Sequence, residues 1–287
     1  MFVRNNWWVT TEMADDVRDE IRPTPGVSKP DPIITVSGLI RDFGGLRAVD
    51  VEHLEIQRRT ITSLIGPNGA GKTTFFNLLT GFDAADRGTW SLDGETLVGI
   101  PAFEIARRGM VRTFQLTKSL ARLTVLENVM LAAKGNRGET LRGALLGGWR
   151  QQEQEIERKA RELLDRFAMT QMADEFAGTL SGGQRKLLEM TRALMIDPNV
   201  VMLDEPMAGV NPALTQSILE HIKALRDEDG RTVVFIEHDM DVVQEISDWV
   251  VVLGEGQVIS EGLPAQVASD PRVIDAYLGS TLSEGIE

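Results

Sequence analysis

The chain contains no cysteine. That excludes disulfides, thiolate catalysis and every cysteine-based metal site. Histidine is scarce too: His53, His221 and His238 are the only three, which argues against a histidine zinc site. No apolar run approaches the roughly eighteen residues needed to cross a bilayer. The N-terminus lacks the basic, apolar, small-residue order of a secretory signal, and Asp15, Asp16, Asp19 and Glu20 are wrong for one. Sustained heptads are missing. Positive charge is short: 30 Lys and Arg stand against 43 Asp and Glu, a formal net charge of −13. Non-specific nucleic-acid binding relies on Lys and Arg at phosphates, so this balance argues against it and serves solubility instead. These absences point to a soluble, cytosolic protein.

What is present is a chain of 287 residues with 42% hydrophobic content, ample for a core in one large domain or two small ones. Residues 1–31 read as a flexible N-terminal extension, with Trp7-Trp8, an acidic stretch that suits a short helix over 13–22, and then Pro23, Pro25 and Pro30. From Ile33 the pattern is strand-like: Ile33–Val36, Val51–Ile56 and Ile61–Ile65, with Gly44-Gly45 as a turn. Thr89–Leu92 reads as another strand ending in a turn at Asp93-Gly94. From about 101 to 195 the periodicity turns helical, and Ile156, Leu163, Leu164 and Phe167 share one side. Strands and helices then alternate: Val200–Leu203, Leu214–Arg226, Thr232–Ile236 and Val242–Ile246. Such alternation implies a parallel sheet covered by helices. Val250–Leu253 and Gln257–Ser260 flank a hairpin signal at Gly254-Glu255-Gly256, and Pro271–Leu278 suits a terminal helix.

Four motifs carry chemistry. Residues 66–73 read Gly66-Pro67-Asn68-Gly69-Ala70-Gly71-Lys72-Thr73, a complete G-x-x-x-x-G-K-T phosphate-binding loop between an apolar strand and a helix that continues through Thr74. The glycines let backbone N–H groups close on phosphate oxygens, and the helix N-terminus adds its positive dipole end. Lys72 supplies a point charge to the β- and γ-phosphates, and Thr73 offers a hydroxyl to Mg²⁺. Residues 180–184, Leu-Ser-Gly-Gly-Gln, open a helix pattern with Ser181 placed as N-cap; this is either a capped helix start or a second phosphate site. Within one chain such a terminus cannot easily reach the first site's ligand, which suggests a nucleotide held by another subunit. Residues 200–205 are an apolar strand ending in Asp204-Glu205. These two cannot point the same way in a continuing strand, so Asp204 suits a metal and Glu205 a general base, unless the pair is simply an acidic turn before Pro206. His238 follows the strand Thr232–Ile236 at the same sheet edge, where a neutral imidazole can hydrogen-bond a γ-phosphate.

Taken together, these residues resemble the ATP-binding cassette (ABC) transporter ATPase family, in family order across about 33–262. Gly66–Thr73 looks like Walker A, Leu180–Gln184 like the signature, Val200–Glu205 like Walker B with its catalytic glutamate, and His238 like the switch histidine. Gln115, in Arg112-Thr113-Phe114-Gln115, resembles the Q-loop glutamine, and Phe43 the aromatic that stacks on adenine. The resemblance implies a P-loop NTPase core of α/β class, with a mostly parallel sheet, an N-terminal antiparallel β subdomain and a helical insertion subdomain, all within residues 32–287. It implies ATP and Mg²⁺ as ligands. Nucleotide contacts would come from Phe43, Gly66, Asn68, Gly69, Ala70, Gly71, Lys72, Thr73, Thr74, Ser181, Gly182, Gly183, Gln184 and Asn211. Metal contacts would come from Thr73, Gln115 and Asp204, and catalysis from Glu205, His238 and Gln115.

A narrower resemblance, to the ATPases of branched-chain amino acid importers, rests on Phe43–Val49, Val111–Gln115, Ile236–Met240 and the ending Val273–Gly279. That subfamily carries a longer helical insertion, consistent with 135–170. Asn211 replaces the usual D-loop aspartate, a form familiar in this subfamily; it can hydrogen-bond but supplies no charge. The implied partners are a second ABC ATPase subunit, sister or identical, two transmembrane permease subunits and, indirectly, a solute-binding protein, with no nucleic acid. The implied place is the inner face of the cell membrane. Phe114, Leu116, Leu120 and Leu123 are candidates for lining the groove that meets a membrane subunit, or for insertion core. Urea and amide importers share much of the pattern, and the cassette of a lipid or lipopolysaccharide exporter is also compact. A non-transport ABC ATPase and a regulatory nucleotide-binding protein are the readings from other classes.

Overall fold

The structure is a computed structural model and describes residues 23–113, 120–133 and 149–284. Trp7, Trp8, the helix read over 13–22, Phe114, Gln115 and Leu116 lie outside the described residues. In chain order the elements begin with strands β1 (Pro32–Phe43), β2 (Leu46–Gln57) and β3 (Ile61–Ile65), then helix α1 (Lys72–Leu79). Strands β4 (Arg87–Leu92) and β5 (Glu95–Thr96), helix α2 (Ala102–Arg107) and strand β6 (Met110–Arg112) follow. Helices α3 (Val125–Met130), α4 (Trp149–Arg166) and α5 (Gly182–Leu194) lead to β7 (Val200–Asp204), α6 (Pro212–Asp227) and β8 (Thr232–Ile236). The chain ends with α7 (Met240–Ile246), β9 (Trp249–Gly254), β10 (Gln257–Gly262), α8 (Pro264–Ala268) and α9 (Pro271–Glu284). It divides into two compact units, one running up to Gly99 and resuming at Glu237, the other spanning Ile100–Ile236.

The first unit holds an antiparallel sheet in the order β2-β1-β4-β5. Its leading hairpin turns in two residues: Phe43 pairs with Leu46, and Gly44 and Gly45 take φ of 55° and 97°. Both central positions of such a turn need positive φ, which glycine adopts without steric cost. In the same unit β3 pairs parallel with β9, and β9 antiparallel with β10. All five residues of β3 and all six of β9 are buried, which explains why both read as unbroken runs rather than alternating ones.

The segment before β1 is fastened by buried charge. Lys29 Nζ lies 2.8 Å from Glu261 Oε2, and the two side chains are 1% and 0% exposed. Glu261 also accepts from the Trp249 indole N–H at 2.8 Å and from the Val27 N–H at 3.1 Å. The Lys29 ammonium sits 4.3 Å from the centroid of the Trp249 ring. Burial pushes the Lys29 pKa down, and Glu261 pulls against that shift.

The second unit carries a parallel ladder in which Met110–Arg112 pairs with Val200–Met202 and β7 with β8. β6 lies inside the stretch whose periodicity reads as helical; three residues are too few to show an alternation. α6 buries Ile218, Leu219, Ile222 and Leu225, the spacing of one helical face. Each such side chain contributes about 1.5–3 kcal/mol as an upper estimate. α5 buries Leu187, Leu188, Met190, Thr191 and Leu194 in the same way. On α4, Ala160 and Leu164 face inward, and Phe167 packs just beyond its end with its ring 4.4 Å from that of His221.

Candidate functional site

The phosphate loop leaves β3 as the fully buried strand ends. Gly66, Gly69 and Gly71 take φ of 147°, 76° and 94°. At Gly66 a Cβ would stand 2.1 Å from the Leu253 carbonyl oxygen, and at Gly71 the same distance from that of Ala48. The backbone therefore approaches its neighbours at distances only glycine permits. The Ala70 carbonyl accepts from the Gly256 N–H at 3.1 Å, which ties the loop to the β9–β10 turn. Lys72 Nζ donates to the Gly66 and Pro67 carbonyls at 2.6 and 2.9 Å, so its ammonium lies over the loop's own backbone. Asn68, Gly69 and Thr73 are exposed, and Thr74 is half-buried in the first turn of α1. The loop thus opens N–H groups, a helix N-terminus, an ammonium and a hydroxyl to one place, which is what an anionic ligand requires.

In the same unit Phe43 ends β1 with 46% exposure, and the Arg41 guanidinium stacks 4.5 Å from its ring centroid. His238 is exposed, and its backbone N–H donates to the carboxylate of Glu237, which is itself buried. A residue that the motifs do not point to also reaches the loop: the Tyr277 hydroxyl on α9 accepts from the Gly66 N–H at 2.9 Å. Its only signal in the sequence is membership of the ending Val273–Gly279.

In the second unit β7 stops at Asp204, and Glu205 takes φ of 45°, a left-handed conformation rare outside glycine. The strand alternation expected for this pair ends there, because Glu205 is no longer in extended backbone. The Glu205 N–H donates to the Ile236 carbonyl at 3.1 Å, and the Glu205 carbonyl accepts from Lys186 Nζ at 2.6 Å. Lys186 sits on α5, two residues past the Leu180–Gln184 motif, so that helix holds the turn carrying Glu205. Asp204 pairs with Arg112: Nη2 to Oδ2 is 2.5 Å, and the side chains are 5% and 4% exposed. Arg112 is 92 residues away in the chain and carries no sequence mark of this pairing.

Ser181 caps α5. Its hydroxyl accepts from the Gln184 N–H at 3.3 Å, while Gln184 Oε1 accepts from the Ser181 N–H at 2.8 Å. This reciprocal box satisfies two N-terminal donors, and Gln184 is occupied in it. Ser181 and Gly182 are exposed, whereas Gly183 is buried, and a Cβ there would stand 2.1 Å from Leu214 Cδ2. Gly183 thus lies against the Leu214 side chain of α6, whose tip would have to shift to admit a larger residue. Asn211 caps that helix, its Oδ1 accepting from the Leu214 N–H at 3.0 Å with Pro212 at the first helical position. The Asn-Pro pair is a cap signal legible in the sequence.

Among the described residues no group of three or more His, Asp or Glu stands together to hold a metal by itself. In the first unit the exposed Thr73 hydroxyl is an oxygen donor of the kind Mg²⁺ takes, since that ion binds through few protein ligands and keeps phosphate oxygens and water for the rest. No described helix is long and apolar enough to cross a membrane.

Comparison with known proteins adds to this geometry. Residues 49–208 match the family model described as ABC transporter, and residues 257–281 the one described as Branched-chain amino acid ATP-binding cassette transporter. The chain is 43% identical over 250 residues to the high-affinity branched-chain amino acid transport ATP-binding protein BraF of Pseudomonas aeruginosa, covering 86% of this chain and 98% of that protein. It is 41% identical over 250 residues to LivG of Escherichia coli, a protein of the same description, with the same coverage. Among solved structures it resembles the ADP conformation of an ATP-binding cassette of an ABC transporter. The TM-score is 0.74 at 35% identity, over 86% of this chain and 99% of that one.

Proposed function

The chain belongs to the ABC transporter ATP-binding family, in its branched-chain amino acid branch, and from that premise we propose that it powers an importer of branched-chain amino acids by hydrolysing ATP. The observation that carries this reading is the loop at residues 66–73, a glycine-lined phosphate cradle on a buried strand with Lys72 across it. We read residues 32–287 as one cassette, with a helical subdomain at roughly 101–195 and residues 1–31 as an extension. Lys72 and the loop N–H groups hold the β- and γ-phosphates of ATP, and Phe43 offers its exposed ring to adenine. Thr73, Asp204 and Gln115 are the residues that would hold Mg²⁺, which when bound neutralises phosphate charge as the terminal bond breaks.

Glu205 accepts the proton of the attacking water as general base, and His238 hydrogen-bonds the terminal phosphate. The exposed terminus at Ser181 and Gly182 serves a nucleotide held by a second ATPase subunit, and Asn211 faces that subunit. ATP then joins two such subunits and hydrolysis releases them, a ligand-driven shift of populations. The partners in this reading are a sister or identical ATPase, two transmembrane permease subunits and, through them, a solute-binding protein. The chain would lie peripherally on the inner face of the cell membrane.

Glu205→Gln tests the catalytic assignment: ATP binding should persist while most turnover disappears, and undiminished hydrolysis would remove Glu205 from the role. Co-purification with the permease subunits tests the substrate. ATPase activity should rise with leucine, isoleucine or valine and their binding protein; a rise with urea or an amide instead would overturn the amino acid reading.

A further inference from the structure

We propose that Tyr277 is a positioning residue for the phosphate loop, and that the C-terminal helix α9 exists in this chain to station that loop. The argument begins with Gly66, whose peptide groups are committed at both ends. Its N–H donates to the Tyr277 hydroxyl at 2.9 Å, and its carbonyl accepts from Lys72 Nζ at 2.6 Å. Gly66 is buried, with φ of 147°, and has the Leu253 carbonyl 2.1 Å from where a Cβ would stand. The first residue of the loop is thus wedged between β9 and α9, and the lysine that reads phosphate hangs from its other side. Tyr277 and Lys72 are linked through one residue.

α9 is built to deliver that hydroxyl accurately. Pro271 opens it, and the Asp270 carboxylate caps it by accepting from the Arg272 N–H at 2.9 Å. The same carboxylate accepts from the buried Ser260 hydroxyl at 2.6 Å, which anchors the helix start to β10. Val273 is buried one turn before Tyr277, while Ile274 and Leu278 face solvent. Tyr277 is the only tyrosine in the chain, and it falls inside residues 257–281, the segment shared with branched-chain amino acid cassettes.

The chemistry of the acceptor also fits. A loop that takes an anion needs its own N–H groups oriented, yet a carboxylate beside it would repel phosphate. Burial raises the Tyr277 pKa above the ordinary phenol value, so the acceptor stays uncharged at physiological pH. A phenol offers an oxygen without adding charge, and on a long rigid ring.

This proposal rests on the nucleotide reading of the loop, and one set of measurements separates the two. Tyr277→Phe keeps the ring and removes only the oxygen. The dissociation constants of ATP and ADP should rise about fivefold to tenfold, the ratio expected for one hydrogen bond. In steady-state hydrolysis the loss should fall on KM more than on kcat. Amide exchange at Gly66 should accelerate while exchange within α9 keeps its wild-type rate. Ile274→Ala, on the solvent side of the same helix, should leave nucleotide affinity at the wild-type value. Wild-type affinity in Tyr277→Phe with an unchanged Gly66 exchange rate overturns the proposal. So does faster exchange along the whole of α9, or an equal loss in Ile274→Ala, because either makes the effect one of helix packing. A wild-type chain that fails to bind ATP sinks the nucleotide reading itself, a different outcome from any of these.

Discussion

Arg112→Met should be among the most damaging single changes in the second unit, because Arg112 pairs with Asp204 in the interior. The two side chains are 5% and 4% exposed, and their charged atoms stand 2.5 Å apart. At an effective dielectric of about 20 the gross attraction at that separation is about 7 kcal/mol, most of it offset by the cost of taking both ions out of water. Removing the guanidinium leaves that cost on Asp204 with nothing opposing it. Such a change destabilises by about 3–5 kcal/mol. Urea unfolding followed by circular dichroism measures it, with the midpoint moving to lower urea. The double variant Arg112→Met, Asp204→Leu carries no buried charge and should recover much of the loss, because an apolar pair of similar volume often matches an ion pair. A cost below about 1 kcal/mol for Arg112→Met would refute the reasoning. A double variant no more stable than the single one would refute it as well.

Two further outcomes follow from the first unit. Gly69→Ala meets nothing within 4 Å and bears only the left-handed strain of φ 76°, about 1 kcal/mol, whereas Gly66→Ala must also move the Leu253 carbonyl. Thermal unfolding should therefore show a clearly larger loss for Gly66→Ala, and equal losses would remove the steric account of the loop. Arg272 and Ser260 hold the Asp270 carboxyl well below the usual carboxylate range. A carboxyl lowered in the folded state stabilises above its unfolded value of about 3.9 and loses that contribution as pH falls through the folded value. α9 should accordingly loosen in amide exchange below about pH 4. Asp270→Asn should flatten that dependence, and a dependence that persists unchanged would assign it to other groups.

The parts of this molecule that the sequence discloses are those whose determinants are local. β3 and β8 occupy the bounds read for them, because every residue of each strand is buried and the short buried run stands out from the polar residues flanking it. The helix α5 and its Ser181 cap are legible for the same reason: cap and buried face lie within one short segment. The partnership of Arg112 with Asp204, and of Gly66 with Tyr277, is set by topology across 92 and 211 residues, and no periodicity encodes it. Asp204-Glu205 shows a third case. Two adjacent carboxylates are visible in the sequence, but the positive φ of Glu205 is not, and its backbone is held by contacts with Ile236 and Lys186 that the sequence does not mark. Gln115 lies outside the described residues, so its place rests on resemblance alone.

The buried pair of Lys29 and Glu261 limits how this sequence can drift. The two residues are 232 positions apart, and each is the other's countercharge in a place water does not reach. Loss of either alone strands a charge in the interior, so the pair cannot be dismantled in one mutational step without a large penalty in folding. A lineage that abandons the pair must pass through a destabilised intermediate or carry a compensating change first. Positions 29 and 261 should consequently change together among descendants of this chain. Their joint variation would mark which relatives fasten the segment before the first strand in the same way.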